Sequence, residues 1–188
     1  MSAKHLSIVT ATITALLLAC LAAGSASASA PAKTGKASKP DKAAIIERAL
    51  LGSHELWATI DVCSPANQLD TVGIRGSMPG DNTAADKMYM SFRLQYENAS
   101  KQWIDLSSHA SSGFVAVGGG ASPRQGGTSF ELKPVAGEPA VILRGVVDFQ
   151  WRHGKTVLFS GARTTLAGHR SLAGADPADF SAATCQIG

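Results

Sequence analysis

Cysteines are the residues of this 188-residue chain with the most reactive side chains, and there are three, Cys20, Cys63 and Cys185. The last two lie far apart, so they form no C-x-x-C redox motif, and no histidine stands at zinc-finger spacing from either. In an oxidising compartment such a pair is typical of a structural disulfide. We therefore expect a disulfide here and no metal site.

The histidines and serines form no recognisable hydrolase motif. Hydrolysis by a serine needs a nucleophile, a base and a group that orients the base. His109 lies in a serine-rich loop and His153 in a hairpin turn, while the segment 76–80 (Gly-Ser-Met-Pro-Gly) misses the G-x-S-x-G elbow by register. We assign no catalytic residue and expect the chain not to be an enzyme. A hydrolase of unrecognised type is a further alternative, favoured only if the fold joins His109 or His153 to a serine and an acid.

The carboxylates and the glycine clusters give no cofactor motif either. Asp176 and Asp179 flank Pro177, a pattern typical of a local turn. The clusters at 118–120 and 126–127 lack the lysine and the following helix that a phosphate-binding loop requires. The sequence thus predicts no cofactor.

The N-terminal segment reads as a secretion signal. Lys4 and His5 precede an apolar run from Leu6 to Ala23, and small residues lead to a cleavage position after Ala28. We expect residues 1–28 to be a signal peptide and residues 29–40 to be a flexible Ala/Ser/Lys/Pro linker. Secretion places Cys63 and Cys185 where thiols oxidise, and the mature chain is expected to have no transmembrane helix.

Cys20 indicates an alternative way in which the exported protein could be processed. The segment 17–20 (Leu-Leu-Ala-Cys) resembles the lipobox of bacterial lipoproteins, in which the cysteine is lipidated and becomes the new N-terminus. The apolar run continues beyond Cys20, which favours simple secretion. A lipid anchor at Cys20, with the protein held at the outer face of the cell membrane as an envelope lipoprotein subunit, is the alternative.

The charge distribution argues against a nucleic-acid partner. From Gly52 onward the chain has 11 lysines and arginines against 12 aspartates and glutamates, so its overall excess of positive charge belongs to the N-terminal part. A nearly neutral domain lacks the electrostatic footprint that phosphate backbones select.

Residues 41–188 are predicted to form a single all-β domain with one short N-terminal helix. Asp41 is a suitable N-cap and Gly52 a suitable end for that helix. Polar turns separate eight strands thereafter. The predicted strands span 55–63, 71–75, 87–96, 101–106, 113–117, 128–133, 141–152 and 156–164.

Two hairpin segments, FRLQYENASKQWIDL and VILRGVVDFQWRHGKTVLFSG, resemble those of fibronectin type III and immunoglobulin-like domains. The resemblance implies an antiparallel immunoglobulin-like β-sandwich. Here, unlike in immunoglobulins, Cys63 ends the first strand and Cys185 follows the last, so their bridge would tie the two ends of the domain. The tail from Leu166 is rich in Ala, Gly and Ser, and we expect that bridge to be what keeps it docked.

The segments CSPAN, GIRGSMPG, MYMSFRLQY and AGADPADFSAATC look like those of a group of uncharacterised secreted proteins of high-GC bacteria. The group has no assigned activity, so this resemblance implies a compartment and a fold but no function.

If strands 87–96 and 141–152 are neighbours, as in the resembled domains, their outward residues share one sheet face. Planar arginine donors beside an aromatic ring suit carboxylate or sugar recognition. The alternative is a solvated face held by cross-strand charge pairs. The candidate residues are Tyr89, Arg93, Gln95, Arg144, Asp148, Gln150 and Arg152.

The function favoured by the sequence is therefore a secreted, non-catalytic protein with a binding or structural role at the cell surface or outside the cell. Candidate partners are a cell-wall polymer, a glycan or another envelope protein.

Overall fold

A computed structural model describes residues 41–106 and 110–188 of the chain. The predicted signal peptide, the linker and Cys20 lie outside the described residues, as does His109. Within them one helix precedes nine strands. Their bounds are α1 Lys42–Leu51, β1 Trp57–Cys63, β2 Thr71–Met78, β3 Thr83–Glu97, β4 Trp103–Asp105, β5 Ser111–Gly120, β6 Arg124–Glu131, β7 Val141–His153, β8 Thr156–Thr164 and β9 Cys185–Ile187.

The strands form two antiparallel sheets that pack together, which confirms the all-β sandwich. The smaller sheet has the order β1-β2-β6. In the larger sheet β3 and β7 lie side by side; β4 and β5 pair with β3, and β8 and β9 pair with β7. All eight predicted strands are present, with ends that shift by four residues at most. The sequence did not predict β9.

The core lies between the two sheets and comes from the alternation in β3 and β7. Successive residues of a strand point to opposite faces, so every second side chain of each strand is buried. From the larger sheet these are Met88, Met90, Phe92, Leu94, Leu143, Val147, Phe149 and Trp151. Val141, the first residue of β7, continues this alternation but is 40% exposed.

Gly76 is part of β2, which continues beyond the predicted strand end at residue 75. It pairs with Ala58 on one side and Gly126 on the other. A Cβ atom at Gly76 would lie 3.1 Å from Cγ1 of Val147, so the absent side chain lets the two sheets approach closely. Its position reflects packing, because the strand continues through it to Met78.

Strand β1 is buried on both faces, and the C-terminal tail covers its free edge. Ala182 and Ile60 exchange backbone hydrogen bonds of 2.9 and 3.0 Å. The hydroxyls of Thr59 and Ser181 are 2.8 Å apart, and Thr59 is fully buried. The sequence pattern of β1 predicts only one apolar face. It does not indicate that the tail pairs with this strand.

Several interactions hold the tail, of which the Cys63–Cys185 disulfide is one. Strand β9 pairs with the start of β7, placing Cys185 opposite Leu143 and Ile187 opposite Val141. Ile187 is 5% exposed. The expectation that the disulfide alone keeps the tail docked is therefore wrong, since short runs of backbone pairing and a buried side chain contribute as well.

Helix α1 has the predicted bounds. The Asp41 carboxylate accepts a hydrogen bond from the backbone N–H of Ala43, and the helix ends before Gly52. Leu50 joins the core at 5% exposure, and Arg163 of β8 donates a hydrogen bond to the carbonyl of Leu51. The helix is thus attached to the β8 side of the sandwich.

We expect the disulfide to stabilise the domain without determining its fold. It joins residues separated by 122 positions, and loops of that size give about 2–5 kcal/mol. Replacing both cysteines (C63A/C185A) should lower the free energy of unfolding in urea by that amount, while far-UV circular dichroism at zero urea stays unchanged. If C63A/C185A lost the circular dichroism signal of its strands, this would contradict the conclusion that β9 pairing helps to hold the tail.

The contact between the tail and β1 should weaken in acid. His169 stacks on Trp57 with ring centroids 4.1 Å apart, and burial lowers the pKa of His169 from its ordinary value of 6.5. Because the folded pKa lies below the unfolded one, the unfolded chain binds more protons, so stability falls as the pH drops below about 6.5. In H169F, which retains a flat ring, this part of the pH dependence should disappear from urea titrations between pH 7 and 5. An unchanged pH dependence would contradict the assignment.

Candidate binding face

The pairing of β3 with β7 brings the predicted site residues together on the outer face of the larger sheet. Tyr89 lies opposite Gln150, and Gln95 lies opposite Arg144. Neighbouring strands add three residues to the same surface. We call this surface the arginine face; it consists of Tyr89, Arg93, Gln95, Trp103, Asp105, Phe114, Arg144, Asp148, Gln150 and Arg152.

Arg93 occupies the centre of the arginine face and bonds to two carboxylates. Its Nη1 is 2.5 Å from Oδ2 of Asp148, and its Nε is 3.2 Å from Oδ1 of Asp105. The Arg93 side chain is 29% exposed and the Asp105 side chain 60% exposed. The charge of Arg93 is therefore used within the protein.

Arg144 lies at one end of the arginine face. Its guanidinium stacks over the ring of Trp103, 4.4 Å from the ring centroid, and its Nε donates a 2.8 Å hydrogen bond to the side-chain carbonyl of Gln95. Burial, and then repulsion from Arg93, lowers the pKa of Arg144 from its ordinary value. No carboxylate among the described residues forms an ion pair with it.

Arg152 lies towards the other end. Its guanidinium is 4.1 Å from the ring centroid of Tyr89 and 5.1 Å from that of Phe114. Its Nε donates a 2.7 Å hydrogen bond to the side-chain carbonyl of Gln150. It too forms no ion pair with a carboxylate of residues 41–106 or 110–188.

The arginine face therefore has two cations that are positioned by aromatic rings and amides and that no carboxylate of the described residues neutralises. Stacking on a ring orders the planar guanidinium, and an ordered guanidinium loses less entropy when it binds a carboxylate in bidentate fashion. The geometry suits an anionic ligand with hydrogen-bonding groups.

Trp103, Asp105 and Phe114 belong to the face but were missed in the sequence. Trp103 and Asp105 alternate within β4, so extending the β3 register through the turn at 98–102 would have found them. Phe114 lies opposite Ser91 on β5, and this pairing crosses a longer connection whose register the sequence does not indicate.

His153 is paired with an acid elsewhere in the molecule. Its Nδ1 is 2.6 Å from Oδ1 of Asp86, a buried carboxylate. Burial, with a further contribution from Asp86, raises the pKa of the neighbouring Asp81. Within the described chain no serine hydroxyl bonds to the His153 ring, and no group of three or more His, Cys, Asp or Glu side chains is arranged to hold a metal ion.

A cavity of about 1350 Å³ opens between the β3–β4 hairpin, the segment 131–143 and the end of β9. Its lining is mostly aliphatic and includes Leu132, Val135, Ile142 and Ile187. None of the arginine-face residues lines it. The cavity and the arginine face are thus separate features with different chemistry.

No protein-family model matches the chain, and no curated protein matches it either. Among solved structures, a Pseudomonas fluorescens alkylpurine DNA glycosylase AlkC, bound to DNA containing an abasic site analogue, is similar over 59% of this chain at 13% identity, with a TM-score of 0.29. The match spans 28% of the glycosylase chain. Of the helices in the described part of this chain, none is long and apolar enough to cross a membrane.

The hydrogen bonds at the centre of the arginine face lower the pKa of Asp105. The amide of Gln95 and then Arg93 lower its pKa below the ordinary value of 3.8. Since the folded pKa is the lower one, the resulting stabilisation is present above pH 3.8 and is lost as the pH falls through the folded pKa. NMR titration should find a higher Asp105 pKa in Q95A than in the parent protein.

The matched control is Q150A, which removes the amide that bonds to Arg152 and makes no contact with Asp105. The pKa of Asp105 should be the same in Q150A and in the parent protein. An equal rise in both variants would mean that the Gln95–Asp105 hydrogen bond has no specific effect.

Proposed function

We propose that the protein is a secreted, non-catalytic binding protein whose arginine face holds a carboxylate-bearing polysaccharide at the cell surface or outside the cell. The observation that supports this most directly is the pair of ordered guanidiniums, Arg144 and Arg152, that have no carboxylate partner within the described residues. A guanidinium in a fixed orientation binds a carboxylate through two parallel hydrogen bonds.

The surroundings of the two arginines favour a sugar chain over a protein partner. Gln95, Gln150 and Tyr89 are half-buried. The Gln95 amide bonds to both Arg144 and Asp105, while Gln150 and the Tyr89 ring contact Arg152. Amides donate and accept hydrogen bonds at once, as sugar hydroxyls require. The predicted partner class of cell-wall polymer or glycan is consistent with this surface.

Secretion itself rests on the N-terminal sequence pattern, with lipidation at Cys20 as the alternative. The intact mass of the native protein, taken separately from culture supernatant and membrane fractions, distinguishes the two routes. A supernatant species beginning at Ser29 is the expected result. A membrane species beginning at Cys20 with added acyl mass would establish the lipoprotein form.

Removing Arg144 and Arg152 together should abolish binding to the polysaccharide. A charge-assisted hydrogen-bonded contact contributes about 1.5–3 kcal/mol, so R144A and R152A should each weaken retention on purified cell-wall polysaccharide by roughly tenfold to a hundredfold. This retention can be measured by co-sedimentation of the mature protein with the purified cell-wall polysaccharide. R93A should weaken it as well, since it leaves Asp105 and Asp148 unneutralised.

R170A is the matched control, because Arg170 is an exposed arginine of the tail outside the arginine face. It removes the same charge and should leave retention unchanged. Equal losses for R170A and R144A would point to general attraction by net charge. Full retention of R144A/R152A would overturn the proposed site.

A further inference from the structure

The spacing of charges on the arginine face restricts the ligand further. We infer that the ligand is an extended polysaccharide whose carboxylates alternate with neutral sugars, with one carboxylate bound at Arg144, another at Arg152, and a neutral sugar facing Asp105. This inference rests on the proposed function and adds to it a minimum length and a charge pattern.

The length follows from the strand. Arg144 and Arg152 belong to the same strand, β7, and are eight residues apart. An antiparallel strand rises about 3.3 Å per residue, so their positions are separated by about 26 Å. Arg144 stacks on Trp103 and Arg152 on Tyr89, each at its own place along the sheet, so the two guanidiniums do not converge on one small anion. A ligand that uses both must be a chain.

The charge pattern follows from what lies between the two arginines. The middle of the face has one cation, Arg93, and two carboxylates, Asp105 and Asp148. Asp105 is 60% exposed and so meets anything that crosses the face. Carboxylates accept hydrogen bonds from sugar hydroxyls, but they repel a ligand carboxylate at close range.

A densely charged polymer therefore fits this face less well than a sparsely charged one. Such a polymer brings an anion to every position along the sheet, including the position of Asp105. A chain whose carboxylates alternate with neutral sugars can place carboxylates at Arg144 and Arg152 and still present a neutral sugar to Asp105. The difference is a specificity that comes from repulsion as much as from attraction.

Two series of defined oligosaccharides test the inference. Hyaluronan oligomers carry a carboxylate on every other sugar, and oligogalacturonates carry one on every sugar. For the mature protein, calorimetric affinity for hyaluronan oligomers should rise by at least tenfold once the extended length of the oligomer passes about 26 Å, because the second contact then becomes intramolecular. At equal length, the oligogalacturonates should bind more weakly.

Variants separate the parts of the inference. In R144A and in R152A, the increase in affinity at an oligomer length of about 26 Å should disappear. Weak binding that does not depend on oligomer length should remain. D105N should raise affinity for oligogalacturonate severalfold, and by more than it changes affinity for hyaluronan. R170A should reproduce the parent protein in both series.

The outcomes distinguish this inference from the proposed function. Binding of both series that depends on Arg144 or Arg152, without a step in length or a preference for sparse charge, would overturn the spanning chain and leave the binding face intact. Absence of binding to every oligomer and to cell-wall polysaccharide would overturn both. A step in length that persists in R144A and R152A would also overturn the inference.

Discussion

The pairing of β3 with β7 is the constraint on which the rest of the structure depends. Their register runs without interruption from Lys87 opposite Arg152 to Tyr96 opposite Leu143. One set of alternate residues becomes the half of the core that the larger sheet contributes, and the other set becomes the arginine face. Because the side-chain period of a strand is two, a slip of one residue would expose the aromatic core and bury the arginines. The same register therefore determines stability and surface chemistry.

The arginine face combines internal ion pairs at its centre with outer arginines that are held in place without a carboxylate partner among the described residues. At its centre Arg93 and its two carboxylates satisfy one another, while the amides of Gln95 and Gln150 orient the outer arginines. Aromatic rings replace carboxylates as the partners of Arg144 and Arg152. A ring attracts a cation without neutralising it, so both guanidiniums keep their charge for another partner.

Much of this could be predicted from the sequence, and what could not has physical causes. The alternation in β3 and β7 predicts which side chains point outward, since it depends only on local geometry. The position of Gly76 within β2 depends on the approach of Val147 from the other sheet, which no local pattern contains. Strand β9 was missed because three residues give no periodicity, and because its partner lies more than forty residues earlier in the chain.

The attachment of the tail has a consequence for how the protein behaves at high concentration. Open strand edges present unpaired N–H and C=O groups to which other chains can add, the usual route to fibrous association. Here Ala182 occupies the edge of β1 at Ile60, and β9 occupies the edge of β7 at Val141–Leu143, so one short segment shields an edge of each sheet. A protease that trimmed the tail would uncover both edges at once, and the trimmed domains would be prone to join through new sheet pairing.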